Sequence, residues 1–543
     1  MKKILQLIFL IVTCYKLTSA IEIIPCPVHI LEKPGTFVLS SRTIINYSEK
    51  ASNEAELFQE VLKKEFDVVL TPYSKVSQNN IVMEINPLLK DRVGLEGYEL
   101  KVTENFIKIT GATNTGIFYG IQTLRQLLRK ISDDNLIYSR YSIPCVEIID
   151  YPRFKWRGFM LDVSRYFHGV DVVKGILDEM ALLKMNVFHW HLTDDQGWRI
   201  PIDKYPRLIS VGSKRDSSMI SKQKDSNNKW VFTFDGVPHE GYYTKEEIKE
   251  IIEYASIRHI TVVPEIDMPS HNQAAMAAYP WLGTRNSEVK VPTTFGGEPY
   301  LRNPSEINLA NPKVVKFFKN VLDEVIELFP SGIIHTGGDE VWVNLWKESS
   351  EINEFMKKNG FRTYADLQMW FTSEISDYLK SKGKRMMGWN DITGDHTNRD
   401  LNADDFQITI DKQPASGTII GFWRGDLDLI FKAASKGYDI VNSNSSFTYL
   451  NYNPADLTLE KAYSFEPIPE GLDIKYHDRI LGLTCPLWTE WVPNEAVLDY
   501  QIFPRLAAYS EVGWTQKEHK NFNDFNNALN LLVVHWNRMG VNY

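Results

Sequence analysis

The sequence predicts an α/β protein: a (β/α)8 TIM barrel over residues 151–543, preceded by a small α+β domain over residues 21–150. Three observations carry that prediction. From Arg157 onward, eight apolar runs each end in polar residues and each is followed by an amphipathic stretch, the pattern of repeated strand–helix units. Before Asp150 the order differs, with four strand-like runs around two helical ones, and the segment from Asp150 to Phe154 reads as a connector. Finally, the residues that close the eight runs include His, Asp, Glu, Arg and Trp, and barrel enzymes build their active sites at the carboxyl ends of the strands.

Taken in order, residues 1–20 carry two lysines, an apolar stretch from Ile4 to Cys14 and small residues before Ala20, which reads as a secretory signal peptide. That stretch is short for a membrane span, and no later segment reaches about 18 unbroken apolar residues, so a soluble lumenal protein is expected, lysosomal or secreted. Cleavage leaves Cys26, Cys145 and Cys485. A Cys26–Cys145 disulfide is one option, since the two lie near the ends of the first domain in similar Ile-Pro-Cys phrases. Asn46-Tyr-Ser and Asn444-Ser-Ser are glycosylation sequons.

In the first domain, strands are expected at 36–39, 81–85, 98–102 and 106–110, and helices at 55–66 and 116–130. The barrel strands are expected at 158–163, 187–192, 260–266, 332–335, 385–389, 418–423, 438–442 and 480–487. Between them, Val172, Ile176, Met180 and Leu183 mark one helix face, Thr244 with Glu247 forms a capping box, and Leu367, Trp370, Phe371, Ile375 and Tyr378 mark another helix. The Ser- and Lys-rich stretch 213–229 reads as a surface excursion.

Composition narrows the function. With 43% hydrophobic and 24% charged residues in a chain of 543, disordered and fibrous classes are excluded. A net charge of -9 offers no basic footprint for nucleic acid. The 14 tryptophans matter because aromatic faces pack against the C–H faces of sugar rings.

The densest chemistry lies after the fourth barrel strand, at Asp339 and Glu340. Adjacent unpaired carboxylates cannot be buried in a strand, but Gly337 and Gly338 free the backbone so that both side chains can reach one cleft. Other strand ends carry Arg165, His189, His191, Asp194, Asp195, Glu265, Asp267, His271, His335, Trp389 with Asp391, Trp423 with Arg424, Tyr449, and Trp488 with Glu490. Two chemistries fit this rim. His189 and His191 share one strand face, as a metal hydrolase would need. Alternatively, a carboxylic acid protonates a glycosidic oxygen while a second group stabilises an oxocarbenium-like centre, with Trp389, Trp423 and Trp488 around the sugar.

The segments Leu161-Asp-Val-Ser-Arg165, His191-Leu-Thr-Asp-Asp-Gln-Gly-Trp-Arg199, Pro264-Glu-Ile-Asp-Met-Pro-Ser-His271 and His335-Thr-Gly-Gly-Asp-Glu-Val341 resemble those of family 20 glycoside hydrolases, the beta-N-acetylhexosaminidases. The resemblance implies an exo-acting, retaining enzyme whose nucleophile is the substrate's own 2-acetamido carbonyl, through an oxazolinium intermediate. It implies that Glu340 is the acid/base, with a pKa raised by the neighbouring Asp339 charge, and that Asp339 orients the acetamido N–H. Tyr449 would hold the acetamido oxygen, and Trp389, Trp423 and Trp488 would wall that pocket. Arg165 and Glu490 would bind hydroxyls, and Asp194 and His271 would form a polar chain behind the acid. No cofactor or metal is implied; the expected partner is an N-acetylhexosamine-terminated glycan, and lysosomal members of the family suggest a homodimer. One departure stands out: the family's Leu-Asp after the tyrosine is Leu450-Asn451 here, which puts hydroxyl recognition and epimer preference in doubt. A protein nucleophile at Glu265 or Glu490, a metal hydrolase and a silent sugar-binding protein remain as alternatives.

Overall fold

A computed structural model describes residues 21–70, 79–131, 139–295, 306–394 and 407–543. The expected signal segment lies outside the described residues.

The first domain is a mixed sheet of seven strands: β1 (His29–Leu39), β2 (Ile44–Tyr47), β3 (Asn80–Ile85), β4 (Tyr98–Val102), β5 (Phe106–Gly111), β6 (Arg129–Lys130) and β7 (Tyr141–Asp150). Their order is β1-β7-β4-β5-β3-β2, with β6 beside β7. In β4 and β5, alternate residues Tyr98, Leu100, Val102, Ile107 and Ile109 are buried, the period expected of a sheet with one face on a core. Two helices, Ser52–Phe66 and Asn114–Leu127, supply that core. The second ends earlier than its periodicity suggests, because Arg129 and Lys130 pair with Ser142 and Tyr141 as β6. β2, β6 and β7 were not among the expected strands, and in β7 a proline inside the run argues locally against a central strand. Pro144 is accommodated where β1 shifts register between Glu32 and Thr36.

β7 ends in Asp150, which joins the two domains. Its buried carboxylate accepts from Lys184 Nζ (2.8 Å), Tyr98 Oη (2.7 Å) and Trp514 Nε1 (2.9 Å). The same geometry rules out the Cys26–Cys145 bridge. Val28 N–H donates to Asp150 and Cys26 N–H donates to Glu511, whereas Cys145 lies five residues back along β7, about 16 Å from Asp150 at the usual strand rise. Both cysteines are free thiols, as is Cys485.

The barrel closes with eight parallel strands: Trp156–Asp162, Val187–His191, Thr261–Glu265, Ile333–His335, Arg385–Trp389, Ile419–Phe422, Asp439–Asn442 and Ile480–Leu487. Each overlaps one of the eight apolar runs. The capping box of Thr244 and Glu247 opens helix Lys245–Ser256, and helix Tyr364–Ser381 buries Leu367, Phe371 and Ile375. The stretch around 213–229 extends into a surface hairpin, Met219–Lys224 with Trp230–Phe234.

Strand parity sorts the barrel into an apolar floor and a polar upper storey. Trp156, Val187, Val263, Met387, Ile419 and Val441 form one closed apolar cluster. Two residues further along the same strands come His189, Glu265 and Trp389, because successive side chains alternate between the interior and the helical shell. Phe188 and Trp190 take the opposite parity and join the outer core, Trp190 against Tyr243 with ring centroids 4.6 Å apart.

Candidate active site

The backbone after Ile333–His335 turns sharply before it delivers the two carboxylates. Gly337 (φ +61°), Gly338 (φ +95°) and Glu340 (φ +47°) all occupy positive φ, where side chains other than glycine are strained. At Gly337 a side chain has no space: a Cβ there would lie 1.4 Å from Asp267 Oδ1. The turn is held by Ser270 Oγ, which donates to the Asp339 carbonyl, and by Gln368 Nε2, which donates to that of Gly338 (3.0 Å). As a result both carboxylates face one imidazole. His271 Nε2 is 3.8 Å from Asp339 Oδ2 and 3.8 Å from Glu340 Oε2.

Exposure separates the pair. The Asp339 side chain is 13% exposed and the Glu340 side chain 38%. Burial first, then Glu340, Asp391 and Glu265, push the Asp339 carboxyl up to about 7, with His271 opposing them. Asp339 is the deeper of the two, so the desolvation that raises a carboxyl falls on it. His271 is itself held as an imidazolium well above its usual range: burial opposes the charge, and Asp194, Asp195 and Asp339 outweigh it.

Behind His271 runs a polar chain. His271 Nδ1 lies 3.4 Å from Asp194 Oδ1, and Asp194 Oδ2 meets Arg165 Nη2 (2.7 Å) and His191 Nε2 (3.0 Å). Arg165 is further fixed by Gln196 Oε1 (3.0 Å) and Asp162 Oδ2 (3.2 Å). Neither Gln196 nor Asp162 was singled out from sequence; both belong to the quoted motifs, but their residue types alone carry no signal of a support role.

Beside the carboxylates, Trp389, Trp423, Trp488, Tyr449 and Met160 form a separate buried cluster. Trp423 and Tyr449 are stacked at 6.4 Å with 15° between planes; Trp488 lies 6.0 Å from Trp389 and 6.2 Å from Tyr449. Trp423 Nε1 donates to Asp391 Oδ2 (2.9 Å) and Trp389 Nε1 to Glu265 Oε1 (3.0 Å), so each indole is pinned by a carboxylate. Burial keeps the Tyr449 phenol protonated, well above its usual range, with Asp339 and Glu340 adding to the shift. Arg165 lies over the Trp488 ring at 5.1 Å, and burial raises the Glu490 carboxyl against the pull of Arg165.

Buried acceptor atoms that lack a hydrogen-bond partner here include Asp339 Oδ1, Asp267 Oδ1, Glu490 Oε2 and Asn451 Oδ1. Unpaired buried acceptors are costly, and their concentration among these residues marks a site shaped for a ligand bearing N–H and O–H donors. The sequons differ in setting. Asn46 is half-buried on the edge strand β2, and the Asn444 side chain accepts from Ser446 N–H at the start of a short helical turn.

The metal reading of His189 and His191 meets a different arrangement. Both rings, with His335, converge on Glu265: His189 Nε2 at 2.9 Å and His191 Nδ1 at 2.5 Å from Oε2, His335 Nδ1 at 2.7 Å from Oε1. Ligands sharing one tetrahedral zinc would stand about 3.3 Å apart, so these contacts are closer than a shared zinc requires; His191 Nδ1 donates to Glu265 Oε2, while His335 Nδ1 accepts from Gly337 N–H (3.1 Å). Glu265 is fully buried beneath the site, which removes it as a candidate nucleophile.

The wider comparison agrees with this geometry. The model of "Glycosyl hydrolase family 20, catalytic domain" matches residues 154–517, and that of "Glycosyl hydrolase family 20, domain 2" matches residues 20–151. A beta-hexosaminidase of Porphyromonas gingivalis is 35% identical over 97% of this chain, which spans 64% of that protein's length. One from Vibrio furnissii is 34% identical over 92% of the chain and 77% of its own length. Among solved structures, the exo beta-N-acetylglucosaminidase of Vibrio harveyi, in complex with N-acetylglucosamine, superposes with a TM-score of 0.81 at 32% identity, covering 97% of this chain and 78% of that one. A beta-N-acetylhexosaminidase of Bacteroides fragilis gives 0.76 at 32% identity, covering 96% of each chain. A two-carboxylate turn at the mouth of a (β/α)8 barrel, an aromatic cluster beside it and a match across both domains lead to one conclusion: the chain belongs to glycosyl hydrolase family 20.

Proposed function

We propose that this protein is a beta-N-acetylhexosaminidase that removes terminal, non-reducing beta-linked N-acetylhexosamine from glycans or chitooligosaccharides, with retention, the substrate's acetamido group acting as nucleophile. The observation that carries the reading is the buried, unpaired Asp339 Oδ1 beside an aromatic cluster that holds the Tyr449 phenol. An acetamido group supplies what that cluster lacks: an N–H for Asp339, a carbonyl to accept from Tyr449, and a methyl to pack on indole. Clamping the carbonyl between the tyrosine and the rings holds it near the anomeric carbon, the geometry that makes an intramolecular nucleophile effective.

Glu340, the more exposed carboxylate, gives its proton to the leaving oxygen and then takes one from the water that opens the oxazolinium ring. Asp339, ionised once it accepts the acetamido N–H, stabilises the positive charge of that ring. Arg165, Glu490 and Asn451 receive the sugar hydroxyls. For Asn451 the acceptor is a neutral amide oxygen, so its contribution to binding is the smaller one.

Activity on an aryl beta-N-acetylglucosaminide should fall by ~10²- to 10⁴-fold in Glu340→Gln, the usual worth of a general acid. A thiazoline mimic of the cyclic intermediate should inhibit strongly. Weak thiazoline inhibition would favour a protein nucleophile such as Glu490, and loss of turnover in chelator would revive the metal reading.

Export through the secretory pathway, to the lysosome or the medium, is proposed from residues 1–20, with glycosylation at Asn46 and Asn444. A homodimer is proposed on the family resemblance alone. Among the described residues no helix is long and apolar enough to cross a membrane.

A further inference from the structure

We propose that Glu265 is a positioning residue for this reaction: a single buried carboxylate that fixes both the indole of the acetamido pocket and the polar chain leading to Glu340. The proposal rests on the acetamido-pocket reading above.

Four ring nitrogens converge on Glu265, two to each oxygen. Oε1 accepts from Trp389 Nε1 (3.0 Å) and lies 2.7 Å from His335 Nδ1; Oε2 accepts from His191 Nδ1 (2.5 Å) and lies 2.9 Å from His189 Nε2. Two of these contacts are hydrogen bonds, one to each oxygen, from Trp389 Nε1 and His191 Nδ1; His335 Nδ1 accepts from Gly337 N–H (3.1 Å), and the His189 and His335 rings close the carboxylate off from a substrate. Its surroundings are dry and rigid. Glu265, His189, His191 and His335 are all fully buried, and the His335 ring packs on that of Trp389 at 4.9 Å.

The two oxygens serve different halves of the site. Through Oε1, the carboxylate sets the rotation of the Trp389 indole, whose ring belongs to the cluster with Tyr449 and Trp488. Through Oε2, it fixes His191 with Nδ1 inward, which leaves Nε2 for Asp194 at 3.0 Å, and Asp194 in turn lies 3.4 Å from His271, the residue facing both catalytic carboxylates. Charge on Glu265 therefore orients groups on both sides of the reacting centre without touching the sugar.

Glutamine at this position keeps the shape but replaces one acceptor oxygen with an NH2 group, which must confront a ring donor, Trp389 Nε1 or His191 Nδ1. One half of the site loses its anchor whichever way the amide turns. Removing a group that orients a functional residue commonly costs roughly 10- to 100-fold in function.

The test compares wild type, Glu265→Gln, Trp389→Phe and the double variant, by thiazoline Ki and by kcat and KM on an aryl N-acetylglucosaminide, with near-ultraviolet circular dichroism confirming the fold. Glu265→Gln is expected to raise the thiazoline Ki roughly tenfold or more and to lower kcat more than it raises KM. Trp389→Phe loses the N–H and part of the ring, so it should raise Ki and impair turnover in the same direction as Glu265→Gln, and in the Glu265→Gln background it should add less than about twofold. Two results would overturn the proposal: a Ki within about twofold of wild type in either single variant, or penalties that simply multiply in the double. If Glu265→Gln does not fold, Trp389→Phe decides by itself, since its Ki must still rise. Absence of thiazoline inhibition in the wild type would overturn the acetamido-pocket reading, and this proposal with it.

Discussion

Replacing His271 with glutamine should move the pH profile rather than merely lower it. The His271 imidazolium stands 3.8 Å from a carboxylate oxygen of Asp339, and it is the main influence holding that acid down against burial and the charges of Glu340, Asp391 and Glu265. At that distance a unit charge pair is worth about 1 kcal/mol in bulk water and about 4 kcal/mol at an effective dielectric of ~20, or roughly one to three pKa units. Asp339 is largely buried, which favours the upper part of that range. The sign follows from the mechanism: the reaction needs Asp339 ionised, so the limb on which kcat/KM rises with pH must shift upward when the cation is lost. On that limb, at a pH below both values, the rate should fall by roughly 10- to 1000-fold and recover as pH rises. The assay is kcat/KM against pH on a 2,4-dinitrophenyl N-acetylglucosaminide, whose leaving group needs little help from Glu340, so that the profile reports Asp339. A limb that stays within about 0.3 pH unit of wild type, with only a lower plateau, would refute the reasoning.

Three further outcomes follow. Gly337→Ala sets a Cβ 1.4 Å from Asp267 Oδ1 at φ +61°, so it should lose roughly 2–5 kcal/mol from backbone strain and forced movement; a urea midpoint that corresponds to less than about 0.5 kcal/mol would show that the turn yields. Asn451→Asp restores a charged acceptor, and it should change KM or the preference between gluco and galacto substrates more than kcat, with a fall in kcat alone counting against a binding role. Stability should drop in acid: burial opposes ionisation of Glu265, but His335, His191 and His189 hold its pKa well below 4.5. Its contribution is thus complete above about pH 4.5 and is lost as pH falls toward the folded value, which denaturant titration at several pH values can follow. Glu265→Gln should flatten that acid limb, and an unchanged limb would assign it to other groups.

Much of the barrel was legible because its signal is local. Eight apolar runs with polar ends survive reading one residue at a time, and the capping box at Thr244 and Glu247 is complete within a few positions. The parity of His189-Trp-His191 correctly put both imidazoles on one face, although what they meet there is Glu265 from the neighbouring strand. β7 was not read as a strand: Pro144 speaks against one locally, and only pairing on both sides with β1 and β4 overrides that objection. The cysteine bridge failed for the opposite reason: similar flanking words in the sequence say nothing about distance.

The sequence by itself determined the architecture, the family and the identity of the carboxylates, since each depends on residue types at short spacing. The tertiary structure decided which of those groups share a proton environment. Burial raises the Asp339 carboxyl, and Glu265 became a hub because three strands bring its partners within 3.0 Å. Burial and charge pairing are properties of neighbours in space, and strand closure makes neighbours of residues more than a hundred positions apart.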